Sequence, residues 1–494
     1  TAATALALGL CVSPALADEP AVESPAIESP AANPKTAADL EEPAADPEIA
    51  DAILGDENAP ESAQSDAATE EAETAVAGES VITEIDLAQE TAPAWSTNAD
   101  GKRVISPSKM ASGKQWMAYA QASSFNREHV KAFNATSPAM GGREIPLAVI
   151  TPDGNFDQAR PTLYLLNGAG GADQDMEWIK QTYRKDVDPT KEGTQDMVDF
   201  YVDKGINVVI PQAGAFSYYT DWESEHPTLD KDGNGIGSKQ MWETFLTKEL
   251  PGAMEGANGH FKSTSDKRAI IGMSMSASSV LVYGEQNPGL YDAIASYSGC
   301  PATTGVAEIG VDQVVQRGTA TYEQRWGPRG GEVALRNDAQ VNVARLKDQP
   351  NIYISAGTGL MGEHDVPSGD RLRGNPVGSI TPAVEGGVIE GATNVCTHTF
   401  KAAAEKAGVN HIEYNFRNTG THQWGYWQDD MFGSWPTIAR GLGFDEAQAV
   451  ATRDKAAATY LDNNQGIGNA GSLPLLTDAF RQAQEEQAAG NGEQ

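Results

Sequence analysis

Short, almost wholly apolar segments alternate with helical ones through the middle of this chain, and few folds accommodate that alternation. The strand-like segments are "REIPLAVIT" (143–151), "PTLYLLNG" (161–168), "INVVIPQ" (206–212), "RAIIGMS" (268–274), "AIASYSG" (293–299), "NIYISAG" (351–357) and "HIEYNFR" (411–417). Four of them are nearly continuous apolar runs, the pattern of strands buried on both faces. Helical stretches lie between them at 193–205, 241–255, 276–288 and 395–408, and a short one at 114–124 comes before them. Strand and helix in turn predict a mainly parallel central sheet flanked by helices, in one α/β domain over residues 101–445.

The flanks read differently. Residues 1–100 carry 22 Asp and Glu against the single Lys35, most of the formal net charge of −34. Residues 18–100 are mostly Ala, Glu, Pro, Asp, Ser and Thr, with few aromatics. Such a composition buries too little apolar surface to offset chain entropy, which predicts a disordered acidic arm. The polar, Gln- and Ala-rich residues 446–494 read as a partly helical C-terminal tail. Arm and remainder are both net negative, which disfavours nucleic acid as a partner. Residues 1–17 resemble the remains of a signal peptide, with an apolar run at 2–10 and "ALA" at 15–17 before Asp18. The run is too short to span a bilayer, and no transmembrane segment is expected elsewhere. The expected location is therefore secreted. With Cys11 in the leader, Cys300 and Cys396 remain as a pair in a compartment that permits disulfides, and sequence leaves their bonding open.

"AIIGMSMSASS" (269–279) places a serine between a buried strand and the start of a helix. A serine on such a turn projects from the carboxyl end of the sheet, with the next backbone N–H beside it. This is the nucleophile-elbow arrangement, usually G-x-S-x-G and here Gly272-Met273-Ser274-Met275-Ser276. Serine needs an adjacent base, which in this topology follows it in the chain with an acid between. His129, His226 and His260 come too early, His398 lies in a helix, and His411 begins a strand. His364 is a loop residue, and His422, in "NTGTHQWGYW" directly after the last strand, stands where the fold presents its base. For the acid, Asp365, Glu385 and Glu390 are close alternatives. An oxyanion hole needs two backbone N–H groups, for which Met275 and Ala169 in "LYLLNGAGGADQD" are the candidates. "DKDGNG" (230–235) begins like a calcium loop, but Met241 stands where the bidentate Glu belongs, so no metal is expected there.

These segments resemble a known family, the antigen 85-type mycolyltransferases. The resemblance runs from about 129 to 445 through "SPAMGGREI", "LYLLNG", "SYYTDW", "WETFLTKELP", "GMSMSASS", "SYSG", "RWGP", "RND" and "GTHQWGYW", in the family's order. It implies an α/β-hydrolase fold and a Ser-Glu-His triad. The family's glutamate stands in Glu-Gly-x-Thr, which falls on Glu390 in "IEGATNVCTHTF" and displaces Asp365 as the choice. The triad implied is Ser274, Glu390 and His422, with oxyanion donors Met275 and Ala169. Asn167, Gly168, Ser298 and Trp424 are the implied substrate-binding residues. The activity implied is transfer of a mycolyl group from trehalose monomycolate, through a seryl ester, to a glycan or protein hydroxyl. The enzyme is expected to work as a monomer at the outer mycolate layer of the cell envelope, with no metal or organic cofactor. A secreted carboxylesterase or lipase, with water as acceptor, is the alternative. One departure concerns the acceptor. The family's Leu-Asp-Gly-Leu-Arg, whose Asp and Arg help hold trehalose, is replaced by Leu166-Asn167-Gly168-Ala169-Gly170.

Overall fold

The computed structural model describes residues 80–121, 129–183, 195–225, 239–255, 260, 266–366 and 382–463. The leader, most of the acidic arm, residues 230–235, His226 and the end of the C-terminal tail lie outside them.

Two short strands, Trp95–Thr97 (β2) and Arg103–Ile105 (β3), form an antiparallel ribbon. The main sheet contains Ile82–Ile85 (β1), Val130–Ser137 (β4), Arg143–Ile150 (β5), Thr162–Leu165 (β6) and Asn207–Pro211 (β7). It continues with Arg268–Met273 (β8), Ala293–Tyr297 (β9), Ile352–Ala356 (β10) and Glu413–Phe416 (β11). Their order is β1-β4-β5-β7-β6-β8-β9-β10-β11. The pairs from β1 to β7 are antiparallel, and every pair from β7 to β11 is parallel. This is the α/β-hydrolase fold. All seven strand-like segments form strands of this sheet.

Period-two alternation divides the core between the two faces of the sheet. Tyr164, Val209, Ile270, Ile294 and Ile354 point into one cluster with Trp242, Phe245, Val280 and Phe400. Leu163, Val208, Ile210, Ile271 and Tyr297 point into the other with Trp178, Phe200, Trp427 and Trp435. Both faces of the parallel strands are buried, which is why these strands read as continuous apolar runs.

The domain reaches past both expected boundaries. β1 lies before residue 101 and pairs with β4 through Ile82↔Ala135 to Ile85↔Ala132. Its I-T-E-I sequence does not alternate: Ile82 and Ile85 face opposite sides of the sheet and each packs on one cluster, enough for an edge strand but too little to stand out in an acidic stretch. At the other end, the helix Glu446–Asn463 buries Ala449, Ala456 and Ala457. The expected tail therefore begins with a helix packed on the domain, whose small residues permit close approach without marking an apolar stripe.

Cys300 and Cys396 are disulfide-bonded, which fits an oxidising compartment. The bond joins the chain leaving β9 to the helix Gly387–Lys406. Among the described residues, no helix is long and apolar enough to cross a membrane.

Candidate active site

β8 ends at Met273, and the helix Met275–Gln286 begins two residues later. Ser274 between them has φ 54° and ψ −119°, a conformation that L-residues seldom adopt. Three contacts hold it. Ser274 N–H donates to Tyr297 O at 2.8 Å. The Ser276 hydroxyl accepts from Met273 N at 2.9 Å and donates to Met273 O at 3.1 Å. Ser276 therefore closes the elbow with its side chain, a role that small size alone did not suggest. Gly272 is required by contact: a Cβ there would stand 2.3 Å from Ser276 O. Gly272→Ala should shift the elbow backbone, costing about 1–3 kcal/mol as overpacking does. The check is a urea midpoint together with serine-reactive phosphonate labelling, and both should fall.

Opposite the elbow, His422 sits in the loop after β11. Its Nε2 is 2.7 Å from Ser274 Oγ, and its Nδ1 is 2.8 Å from Glu390 Oε2. The loop is held from both sides. His422 N–H donates to Gly386 O at 3.1 Å, and the neighbouring Thr421 hydroxyl donates to Asp365 Oδ1 at 2.6 Å. Glu390 lies in the first turn of the helix Gly387–Lys406 and is wholly buried. Its second oxygen accepts from Ser298 Oγ at 2.8 Å and from Gly357 N at 2.5 Å. Burial alone would raise the Glu390 carboxyl. The His422 hydrogen bond and charge, the Arg417 guanidinium and the Gly357 N–H outweigh it and hold the group below the ordinary carboxylate range.

The three candidate acids thus part company. Glu390 meets His422, while Glu385 is exposed. Asp365 is wholly buried and accepts from Thr421, from Tyr426 OH at 2.6 Å and from Gly362 N at 3.0 Å. It anchors the loop that carries His422. His364 Nε2 meets Asp429 Oδ2 at 2.8 Å, so this second loop histidine has a carboxylate partner of its own.

The expected substrate residues fare unevenly. Ser298 does not line an open surface: it is wholly buried, and its hydroxyl serves Glu390. Its backbone φ of 49° aims the side chain there, a feature no sequence pattern displays. Trp424 packs its ring on Trp178 and Trp427, and the ring edge that meets His422, at 5.0 Å between centroids, is Trp427 instead. The two rings stand one turn apart on the buried face of the helix Trp424–Gly433 and touch each other, and Trp427 is the one placed against the imidazole. Asn167 is wholly buried and donates to Pro211 O at 3.0 Å. Gly168 runs beside the elbow, where a Cβ would come within 3.5 Å of Ser274 Cβ. Ala169 follows, partly exposed, and its carbonyl accepts from Phe216 N at 2.7 Å. No hydrogen bond from Ala169 N–H or Met275 N–H occurs among the described residues. Sequence reading missed Arg417 and Gly357, both at strand ends. A charged residue closing "HIEYNFR" was the available signal for Arg417, whose guanidinium also pairs with buried Asp430 at 2.5 Å.

The arrangement can carry a proton from a serine hydroxyl to an imidazole braced by a buried carboxylate, the requirement of acyl chemistry through a seryl ester. Residues 137–438, more than half of the chain, match the family model Esterase. The chain belongs to the Esterase family. Among curated relatives, this esterase is 30% identical to the diacylglycerol acyltransferase/mycolyltransferase Ag85A of Mycobacterium leprae (strain TN), over 66% of this chain and 87% of that one. It is 29% identical to Ag85A of Mycobacterium tuberculosis (strain ATCC 25618 / H37Rv), over 66% and 85%. Among solved structures, it superimposes on Mycobacterium tuberculosis MPT51 with a TM-score of 0.44 and 20% identity, over 62% of this chain and 96% of that one. The esterase has serine hydrolase-type activity.

Proposed function

We propose that this esterase is an exported acyltransferase that moves a mycolyl group from trehalose monomycolate to an acceptor hydroxyl. The observation that carries the reading is the hydrogen-bonded series Ser274–His422–Glu390, in a chain related over most of their length to curated mycolyltransferases. Ser274 Oγ attacks the ester carbonyl as its proton passes to His422 Nε2. The Met275 and Ala169 N–H groups receive the oxyanion. On collapse the proton goes to the trehalose oxygen, and trehalose leaves a seryl ester behind. An acceptor hydroxyl then gives its proton to His422, attacks the ester and frees Ser274. Glu390 holds the imidazole tautomer throughout.

Exposed apolar side chains next to the acid's helix support a lipid substrate. Leu360, Met361, Val384, Val388 and Ile389 all project outward there. The disulfide supports export. The acceptor is a glycan, a second trehalose monomycolate or an envelope protein, because the charged pair expected to hold trehalose is absent at 166–170. The test offers a labelled mycolyl donor with trehalose, arabinogalactan fragments and small envelope proteins together, and weighs the products by mass. Label on an acceptor is the expected result. Free acid alone, whatever acceptor is present, would replace the transferase reading with a carboxylesterase.

A further inference from the structure

Behind the His422 loop, three side chains unused by the proposed chemistry converge. Glu363 and His364 lie in the turn after β10, and Asp429 lies on the helix Trp424–Gly433. His364 Nε2 is 2.8 Å from Asp429 Oδ2 and 3.9 Å from Glu363 Oε1. One donor atom from each residue falls within 4.8 Å of the others.

Glu363 is the informative member. Its side chain is only 5% exposed, yet neither carboxylate oxygen has a hydrogen-bond partner. A buried carboxylate without donors is costly, and here a second carboxylate stands close by. Something at this point should compensate two acids, and one imidazole does so incompletely.

The imidazole is also built into place. A Cβ at Gly425 would lie 2.2 Å from His364 Cγ, so the helix lacks a side chain where the ring crosses it. Tyr426 meets the same ring edge-on at 4.8 Å. The next residue, Asp365, pins the turn through Gly362, Thr421 and Tyr426. The ring is thereby fixed with Nε2 between two carboxylates.

Two carboxylates and one imidazole form a mixed oxygen–nitrogen donor set. Calcium prefers six to eight oxygens, whereas zinc-class ions take imidazole and carboxylate together. We propose that Glu363, His364 Nε2 and Asp429 bind one divalent ion of the zinc class, leaving a fourth position to water. Tetrahedral ligands at about 2.0–2.1 Å stand roughly 3.3 Å apart. The 2.8 Å pair has to open slightly and the 3.9 Å pair to close, both by side-chain movement. The ion ties the turn that holds Thr421, through Asp365, to the helix that carries Trp427. Both elements touch the His422 loop, so the ion acts as a staple behind the histidine rather than as a participant at Ser274.

The test uses the full chain, stripped with EDTA and dialysed, then titrated calorimetrically with ZnCl2, MnCl2 and CaCl2 in separate runs. One Zn2+ per chain is expected, with a rise of a few degrees in melting temperature at saturation. Glu363→Gln and Asp429→Asn should each weaken Zn2+ binding at least tenfold, while phosphonate labelling of Ser274 reports that the site is intact. Circular dichroism checks folding, and if Glu363→Gln does not fold, Asp429→Asn carries the comparison. Three results would overturn the assignment: no stoichiometric Zn2+ binding, as a simple imidazolium–carboxylate pair requires; affinity unchanged in the folded variants; or tighter binding of Ca2+ than Zn2+. Failure here leaves the transferase reading untouched, because no step of it passes through the ion.

Discussion

Ser274→Ala is expected to lower acyl transfer by about 10⁴-fold or more and to abolish phosphonate labelling, with the urea midpoint almost unchanged. The hydroxyl is the group that would form the acyl bond, and its loss leaves His422 with nothing to deprotonate. The fold should tolerate the change because the contacts that hold the elbow do not use Ser274 Oγ. They are Ser274 N–H to Tyr297 O and the Ser276 hydroxyl to Met273. Alanine keeps the Cβ that already occupies φ 54°, so it adds no backbone strain that serine lacks. Stopped assays with a labelled donor give the rate. Transfer within tenfold of wild type would remove Ser274 from the mechanism.

Glu390→Gln should be nearly as severe, about 10⁴-fold in kcat, through a different cause. Glu390 Oε1 faces two donors, Ser298 Oγ–H and Gly357 N–H. A glutamine there must turn its carbonyl toward them and its amide toward His422 Nδ1. The imidazole would then carry its proton on Nε2, the tautomer that cannot accept from Ser274. Substrate affinity should change little, since Glu390 is wholly buried. A raised KM with unchanged kcat would therefore count against the proposed role. The same carboxyl predicts a pH effect on stability. Its folded value lies below 4.5, so its favourable contribution is fully present above about pH 4.5 and is lost as pH falls through the folded value. The difference in urea midpoint between wild type and Glu390→Gln should be flat near neutrality and should move against the wild type below that point.

Both predictions depend on atoms of unequal visibility in the sequence. "RAIIG" followed by "SASSV" shows a strand handing over to a helix, because apolar runs and small residues have local causes. His422 was legible for a similar reason, since chain order and a loop after the last strand narrow the choice. Glu390 was not legible from chemistry alone. Asp365, Glu385 and Glu390 all lie in one stretch of the chain, and only resemblance to a family separated them. The structure shows what the physics lacked. Asp365 and Glu390 are both wholly buried and both hydrogen-bonded, but one holds Thr421 and the other holds His422.

Local pattern therefore determined the parallel strands, their covering helices and the elbow, since each depends on residues a few positions apart. It could not find β1, whose partners stand some fifty residues away, because pairing rather than apolar content makes it a strand. Nor could it assign Ser298 to Glu390, 92 residues distant, or choose Trp427 over Trp424. The Cys300–Cys396 bond and the meeting of Glu363, His364 and Asp429 belong to the same class. Each depends on where two distant segments come to rest, and that is set by the packing of the whole sheet and its helices, which no short stretch of sequence contains.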